Sequence, residues 1–303
     1  MLAIIGDLHL GPKELETVIP GVYKKQLSTL DKIVEASNEK GCRDFFFVGD
    51  IFDTAEPDFK YQRAFALWLR KKIKDGNIFH FIPGNHDSDS VDKHSLVFID
   101  LVRVFIKKGL INVYLKPQVV TFDDCPVFVF LHPYIMDMPK GCKYALGHFA
   151  FSGARGDNGF VIKTKNQPKG NWILGDFHTP QRGKGYRYVG SVTQIKFHES
   201  PEKQIIILDE GEISVVQHKP DYILAKANIS EDSDFEKLRK DTYYMISVSS
   251  DFTLPSRWQE DFPNIKKYTV EGAVNKKAQV LLQDIVRSDN PLAGFDKYME
   301  DVL

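Results

Sequence analysis

The sequence predicts an α/β fold in which two packed sheets are flanked by helices, followed by a smaller α+β domain. Three observations predict it. Apolar strand-like runs alternate with helical spacings over roughly the first hundred residues. Short strand-like runs then dominate. Hydrophobic residues make up 43% of the 303, enough for one large domain or a large and a small one.

The elements follow in order. Leu2 to Gly6 is a short apolar run. Val22 to Lys40 carries Leu27, Leu30, Ile33 and Val34 on one helical face, and Gly41 closes it as a C-terminal cap. Phe45 to Val48 is a continuous apolar run, the pattern of a strand buried on both faces. Gln62 to Lys74 is a second helix, Ile78 to Ile82 a third strand, and Leu96 to Lys108 a third helix ended by Gly109. This β-α-β-α-β-α order predicts a largely parallel sheet with helical cover.

Beyond residue 110 the strand-like runs are Asn112–Leu115, Val119–Phe122, Val127–Leu131, Tyr144–Leu146, Phe160–Thr164, Trp172–Leu174, Tyr186–Val189, Ile205–Leu208 and Ile213–Gln217. They predict an antiparallel or mixed sheet. Residues 219–230 read as a crossover, Tyr243–Val248 as a strand, and Asn275–Arg287 and Pro291–Leu303 as helices. The division expected is a large domain over 1–220 and a small one over 225–303.

Lys plus Arg number 40 and Asp plus Glu 41, a formal charge of −1, so no strongly basic balance argues for nucleic acid. A local basic patch still serves phosphate. Three cysteines without a C-x-x-C spacing read as free thiols in a reducing compartment. No signal-peptide pattern and no apolar run of membrane-spanning length occur, which predicts a soluble cytoplasmic protein.

Five short motifs follow apolar runs: Gly6-Asp7-Leu8-His9, Gly49-Asp50-Ile51-Phe52-Asp53, Gly84-Asn85-His86-Asp87, Gly147-His148 and Gly175-Asp176-Phe177-His178. Side chains delivered by adjacent strand ends converge on one point, as in open α/β sheets. The donor set of carboxylate, imidazole and amide suits two divalent transition ions sharing a carboxylate. It suits neither a calcium cage nor a thiolate zinc site. Asp7 and His9 are two apart, so an extended backbone sends both to the same side. Asn85 offers a neutral carbonyl oxygen. The adjacent His86 diverges from it and is placed to protonate a leaving oxygen as a general acid. Asp87 is the candidate to orient His86 through Nδ1. No Ser or Cys nucleophile motif and no phosphate-cradling Gly-rich loop is present, in agreement with direct attack by water.

Five ordered motifs of this kind, over roughly residues 1 to 200, resemble the calcineurin-like metallophosphoesterase superfamily. The resemblance implies a layered two-sheet metallophosphoesterase sandwich, metal ligation by Asp7, His9, Asp50, Asn85, His148, Asp176 and His178, an Asp50 that bridges both ions, and catalysis by His86. The final motif departs from the superfamily's usual G-H-x-H, because Asp176 stands where the first His is expected. An exchange of imidazole for carboxylate keeps a ligand competent for Mn²⁺ or Mg²⁺.

The spellings GDLHLG, GDIFD, GNHD and LGH, with Thr179-Pro180-Gln181 after His178, are similar to the SbcD/Mre-type DNA double-strand-break nucleases and their phage relatives. Tyr188-Val189-Gly190-Ser191 resembles a further segment of that family, although Val192 replaces its usual Pro. The resemblance implies an exonuclease and endonuclease with two divalent ions, Mn²⁺ first and Mg²⁺ as the alternative. It also implies DNA as substrate, a homodimer, an SMC-like ATPase partner of the SbcC type, and a small capping domain. Lys71, Lys72, Lys74, Lys107, Lys108, Arg182, Lys184 and Arg187 are the candidate phosphate contacts, with Arg182, Lys184 and Ser191 the strongest for substrate. A small-molecule phosphodiesterase and a catalytically impaired scaffold are the rival readings. The apolar stripe of Pro291–Leu303 is the candidate docking helix for the ATPase.

Overall fold

Side-chain alternation along the first strands decides the layering. In the computed structural model, which describes residues 1–90, 93–94, 99–129, 136–157, 159–164 and 168–270, Leu2, Ile4, Phe46 and Val48 face one core. Ala3, Ile5, Phe45 and Phe47 face another. Both sets are fully buried, so the central strands are covered on both sides.

The elements begin β1 (Leu2–Ile5), α1 (Lys13–Val18), α2 (Val22–Glu39), β2 (Asp44–Val48), α3 (Phe59–Lys74), β3 (Ile78–Ile82). A small hairpin β4 (Ser88–Ser90) and β5 (Lys93–His94) precedes α4 (Ile99–Lys107) and β6 (Ile111–Val113). Then come β7 (Gln118–Phe122), β8 (Cys125–Val129), β9 (Tyr144–His148), β10 (Trp172–Gly175), β11 (Gln181–Gly183) and β12 (Tyr186–Tyr188). A long hairpin, β13 (Lys203–Asp209) and β14 (Glu212–His218), closes this part.

Two six-stranded sheets result, ordered β14-β13-β1-β2-β3-β6 and β11-β12-β10-β9-β8-β7. In the first, β1, β2, β3 and β6 run parallel, β13 is antiparallel to β1, and β14 is antiparallel to β13. In the second, β8, β9, β10 and β12 are parallel, and the edge strands β7 and β11 are each antiparallel to their neighbour. The later half is therefore mixed, with a parallel centre. Val127, Val129, Leu146 and Ile173 of the second sheet join Ile4, Phe46 and Val48 of the first in one core. Leu30, Ile33, Phe65, Trp68 and Leu69 of α2 and α3 cover the first sheet's other face. Phe151 and Ala154 cover the second sheet's outer face over Phe128 and Trp172.

The chain divides into two compact units, Met1–Ile223 and Leu224–Leu303. The second unit contains a three-stranded sheet, β15 (Ile223–Ile229), β16 (Thr242–Val248) and β17 (Ile265–Val270), with short helices α5 (Ser233–Glu236) and α6 (Trp258–Asp261). Its core is built on Ile229, Phe235, Ile246 and Val248.

Two expectations are corrected. Residues 219–230 contain strand β15 where a crossover was expected: the segment pairs with β16 in the three-stranded sheet, and Leu224 and Ile229 are buried. Phe160–Thr164 forms no strand beyond an isolated bridge between Arg155 and Val161. Phe160 and Val161 are 74% and 48% exposed, so this apolar run has no sheet face to bury. The helices expected at 275–287 and 291–303 lie outside the described residues. Cys42, Cys125 and Cys142 are free thiols. No helix among the described residues is long and apolar enough to cross a membrane.

Candidate metal centre

Every motif sits where a parallel strand ends. Asp7 and His9 follow β1, Asp50 follows β2, and Asn85 and His86 follow β3. From the second sheet, His148 ends β9, and Asp176 and His178 follow β10. The two sheets thus present their strand ends to one site. Leu8 and His9 both donate backbone N–H bonds to the Asp50 carbonyl, at 3.0 and 2.9 Å, which locks the first two motifs together. Asp7, His9, Asp50, His148 and His178 are all buried, whereas Asn85 and His86 are exposed at the rim.

The motif glycines are required by this crowding. A Cβ on Gly84 would lie 2.0 Å from Asp50 Oδ1, and one on Gly175 would lie 2.5 Å from Asp7 Oδ1. The backbone is also strained here. His9, Asp50 and Asp176 have φ of 43°, 47° and 100°, a region that non-glycine residues rarely occupy and that clusters at functional sites.

Three donor groups among the described residues gather within 4.8 Å: Asp7, His9 and His178; His9, Asp50 and His86; and, behind His178, Asp157, His178 and Glu199. Asp50 Oδ2 lies 3.4 Å from His9 Nε2 and 3.3 Å from His148 Nε2. The contacts behind the imidazoles set their tautomers. His148 Nδ1 faces the Val48 carbonyl at 2.8 Å and must donate to it. Its Nε2 then faces the Asn85 Oδ1 at 2.8 Å, acceptor against acceptor in the neutral ring. His178 Nδ1 faces the Glu199 carboxylate at 2.9 Å, and its Nε2 faces His9 Nε2 at 3.1 Å. With the rings neutral, Nε2 lone pairs face other acceptors in a buried site, an arrangement that either a proton or a divalent cation satisfies, and the O/N donor set fits a cation.

The charges say the same. Burial pushes Asp7 up to about 7, with His148 opposing and Asp50 adding to the rise. Burial also works to raise Asp50, but the imidazoles of His148, His9 and His86 outweigh it and hold the group below the usual carboxylate range. His148 is pulled well above the ordinary imidazole value, burial notwithstanding, by Asp50 and Asp7. His178 rises to about 9 through Glu199 against the opposing effect of burial. Buried carboxylates here demand positive charge, from protons or from cations.

Several expected roles change. His86 Nδ1 bonds the backbone carbonyl of Asp53 at 2.8 Å, so Asp87 is not its orienting partner. Asp87 is buried and accepts N–H bonds from Ile51, Phe52 and Gly84 at 3.1, 3.3 and 3.0 Å, pinning the β2 and β3 loops to each other. Ser191, expected to meet substrate, is fully buried and donates its hydroxyl to the Thr193 carbonyl. Asp176 places its backbone N–H on Asp7, 3.1 Å from Oδ2, and its carboxylate raises both Asp7 and His148 through charge. None of the three donor groups among the described residues includes it. Lys72 is no phosphate contact: it is buried and paired with Asp31 at 2.7 Å and Glu35 at 3.2 Å. Arg182 and Lys184 are exposed, on and just after β11.

The sequence reading missed Glu199, Lys203 and Asp157. Glu199 and Asp157 both approach His178 Nδ1, at 2.9 and 3.1 Å. Glu199 is held at about 2 because His178, Lys203 and the Ile195 N–H outweigh its burial. A Glu and a Lys four apart in a polar stretch look like a solvated surface pair, and no local signal marks them as buried. Asp53 was legible in its motif, and its carboxylate lies 3.3 Å from His9 Nδ1.

A family model for calcineurin-like phosphoesterases matches residues 1–225. A search among curated proteins finds no match. With three-quarters of its length matched and its motifs converging on a cation-binding cluster, the chain belongs to the calcineurin-like phosphoesterase family, and its activity is metal-dependent phosphoester hydrolysis.

Proposed function

We propose that this chain is a two-cation DNA nuclease, exonuclease and endonuclease, acting in DNA end processing, recombination or repair. The observation that carries the reading is the position of the Asp50 carboxylate between His9 and His148, at 3.4 and 3.3 Å. A single carboxylate between two imidazole sets is what a cation pair needs as a bridge. Asp7, His9 and His178 would hold one ion and Asn85 and His148 the other, with Asp50 shared. Mn²⁺ suits this mixture of oxygen and nitrogen donors, and Mg²⁺ is the alternative.

Bound cations neutralise phosphoryl charge and acidify an attacking water. The protein's own groups do the rest. His86 donates Nδ1–H to the Asp53 carbonyl, which leaves Nε2 facing outward; with the ring in its imidazolium form, Nε2–H is the proton passed to the leaving oxygen and Nε2 keeps the lone pair. Its exposure at the rim gives substrate access to that proton. The His86 backbone N–H holds Asp50 Oδ1 at 2.9 Å, so the acid and the bridge share one loop.

The DNA assignment is supported by the motif spellings, which are similar to those of SbcD/Mre-type nucleases, and by exposed Arg182 and Lys184 shortly after His178. A homodimer, an SMC-like ATPase partner and a cytoplasmic place of action belong to the same proposal. The formal charge of −1 favours a second reading, a small-molecule phosphodiesterase. Mn²⁺-dependent degradation of linear duplex DNA, run beside hydrolysis of bis(p-nitrophenyl) phosphate, separates them. Degradation of DNA that Asp50→Asn abolishes is the expected result. Turnover of the small ester without any DNA cleavage would replace the nuclease with the second reading.

A further inference from the structure

His178 is gripped from two directions. Its Nδ1 faces Glu199 Oε1 at 2.9 Å, and its backbone carbonyl accepts a bond from Lys203 Nζ at 3.0 Å. The same ammonium donates to Ser191 Oγ at 2.7 Å and to Glu199 Oε2 at 3.3 Å. All three of its hydrogens are thereby used. Glu199 is equally committed. Besides His178 and Lys203, it accepts the backbone N–H of Ile195 and of Lys196, each at 3.1 Å. Both side chains are wholly buried, at 0% exposure.

A buried ion pair is costly unless every donor and acceptor is satisfied, and replacing it by apolar groups is often neutral or stabilising. This one lies directly behind a predicted metal ligand and makes no use of the surface. A carboxylate only accepts, so Glu199 requires the hydrogen on Nδ1 and leaves the Nε2 lone pair for the group of Asp7, His9 and His178. Lys203 balances the charge of Glu199 and ties the His178 backbone to it. Asp157 also approaches Nδ1, at 3.1 Å, but one of its oxygens is buried with no hydrogen-bond partner. It is the looser of the two carboxylates.

We infer that the Glu199–Lys203 pair is a positioning device that sets the tautomer and orientation of His178, and so the affinity of the cation held with Asp7 and His9. Neither residue touches substrate. The inference rests on the metal-centre reading. It predicts an unequal effect on two neighbouring ions, which general destabilisation does not produce.

The experiment is Mn²⁺ titration of the full chain without DNA, followed by the EPR signal of free Mn²⁺. Glu199→Gln keeps the shape but offers an amide that can turn its N–H toward Nδ1. One of the two cations should weaken roughly 10–100-fold, the cost of losing such a partner, and the other should keep its affinity. Asp157→Asn should leave both affinities within about twofold of wild type. An unaltered Glu199→Gln isotherm, or equal weakening of both ions, overturns the inference. So does Asp157→Asn matching the Glu199→Gln loss, which would transfer the role to Asp157. Wild-type protein that takes up no Mn²⁺ overturns the metal centre and this inference with it. A second measurement needs no variant. In the Zn²⁺-loaded wild-type protein, ¹⁵N NMR of His178 should show the hydrogen on Nδ1, and a hydrogen on Nε2 refutes the assignment.

Discussion

Two clusters of histidine and carboxylate lie in this fold, and they differ in kind. In the middle of the first sheet, buried His80 has a partner for each nitrogen: Tyr114 hydroxyl at 2.8 Å and Asp44 Oδ1 at 2.9 Å. Its ring lies in near-parallel contact with those of Phe46 and Tyr114, with centroids 5.9 Å from each and planes within 5° of parallel. At the strand ends the rings instead meet edge to face, His9 lying 4.7 Å from His86 and 4.8 Å from His178. There the Nε2 atoms of His9 and His178 face each other at 3.1 Å. The first cluster is closed: both nitrogens of His80 find their complement inside the fold. The second is complete only with positive charge supplied from outside. The lesson is that a ligand histidine is distinguished by what its second nitrogen lacks, together with its place at a strand end.

Asp50→Asn should produce the largest effect, because it strikes the carboxylate proposed to bridge the two cations. Both cations should weaken by more than the roughly 100-fold that loss of an outer partner costs, and hydrolysis should vanish with them. Normal Mn²⁺ occupancy in the variant, measured by equilibrium dialysis, would contradict the bridging role.

His86→Ala comes next. Loss of a general acid should lower turnover roughly 10²–10⁴-fold while both cations remain bound. The nearness of His86 to His9 and Asp50 makes metal content the deciding measurement. A missing cation would move His86 into the ligand set and remove it as the acid.

The open cluster should also respond to pH. His178 is raised from 6.5 to about 9, so the metal-free fold has this proton's stabilisation in full below pH 6.5 and loses it as pH rises through about 9. Asp7, raised from 3.8 to about 7, has the same sign: the folded form holds a proton that the unfolded chain releases, and stability declines over that interval. Cations compete with these protons. The Tm of EDTA-treated protein should therefore fall from pH 6 to pH 9, and the rise in Tm on adding Mn²⁺ should grow over the same range. A Mn²⁺-induced rise of constant size would mean that no protons are displaced from the site.

His80→Phe tests the closed cluster and should have the smallest functional effect. Leaving Tyr114 and Asp44 without their partner should cost about 1–3 kcal/mol in urea denaturation. Mn²⁺ uptake and turnover should match wild type. A change in metal affinity would break the distinction between the two clusters.

Much of the architecture was determined by the sequence itself. The 3.6-residue spacing of Leu30, Ile33 and Val34 and the unbroken FFFV run specify a helix and a doubly buried strand, because side-chain direction follows local backbone period. The motifs after the strands were legible for the same reason: the residues that form each motif are neighbours in the chain. Asp7, His9, Asp50, Asn85, His86, His148 and His178 all come together as read. What only the tertiary structure decided are the partners of those residues. That His86 takes the Asp53 carbonyl and Asp87 three backbone amides depends on how two loops pack. That Ser191 and Lys203 are buried behind His178, beside Glu199, depends on the approach of the segment leading into β13. Hydrogen bonds and burial are set by distance in space, and a polar residue far from its partner in the chain carries no periodic signal of where it will lie.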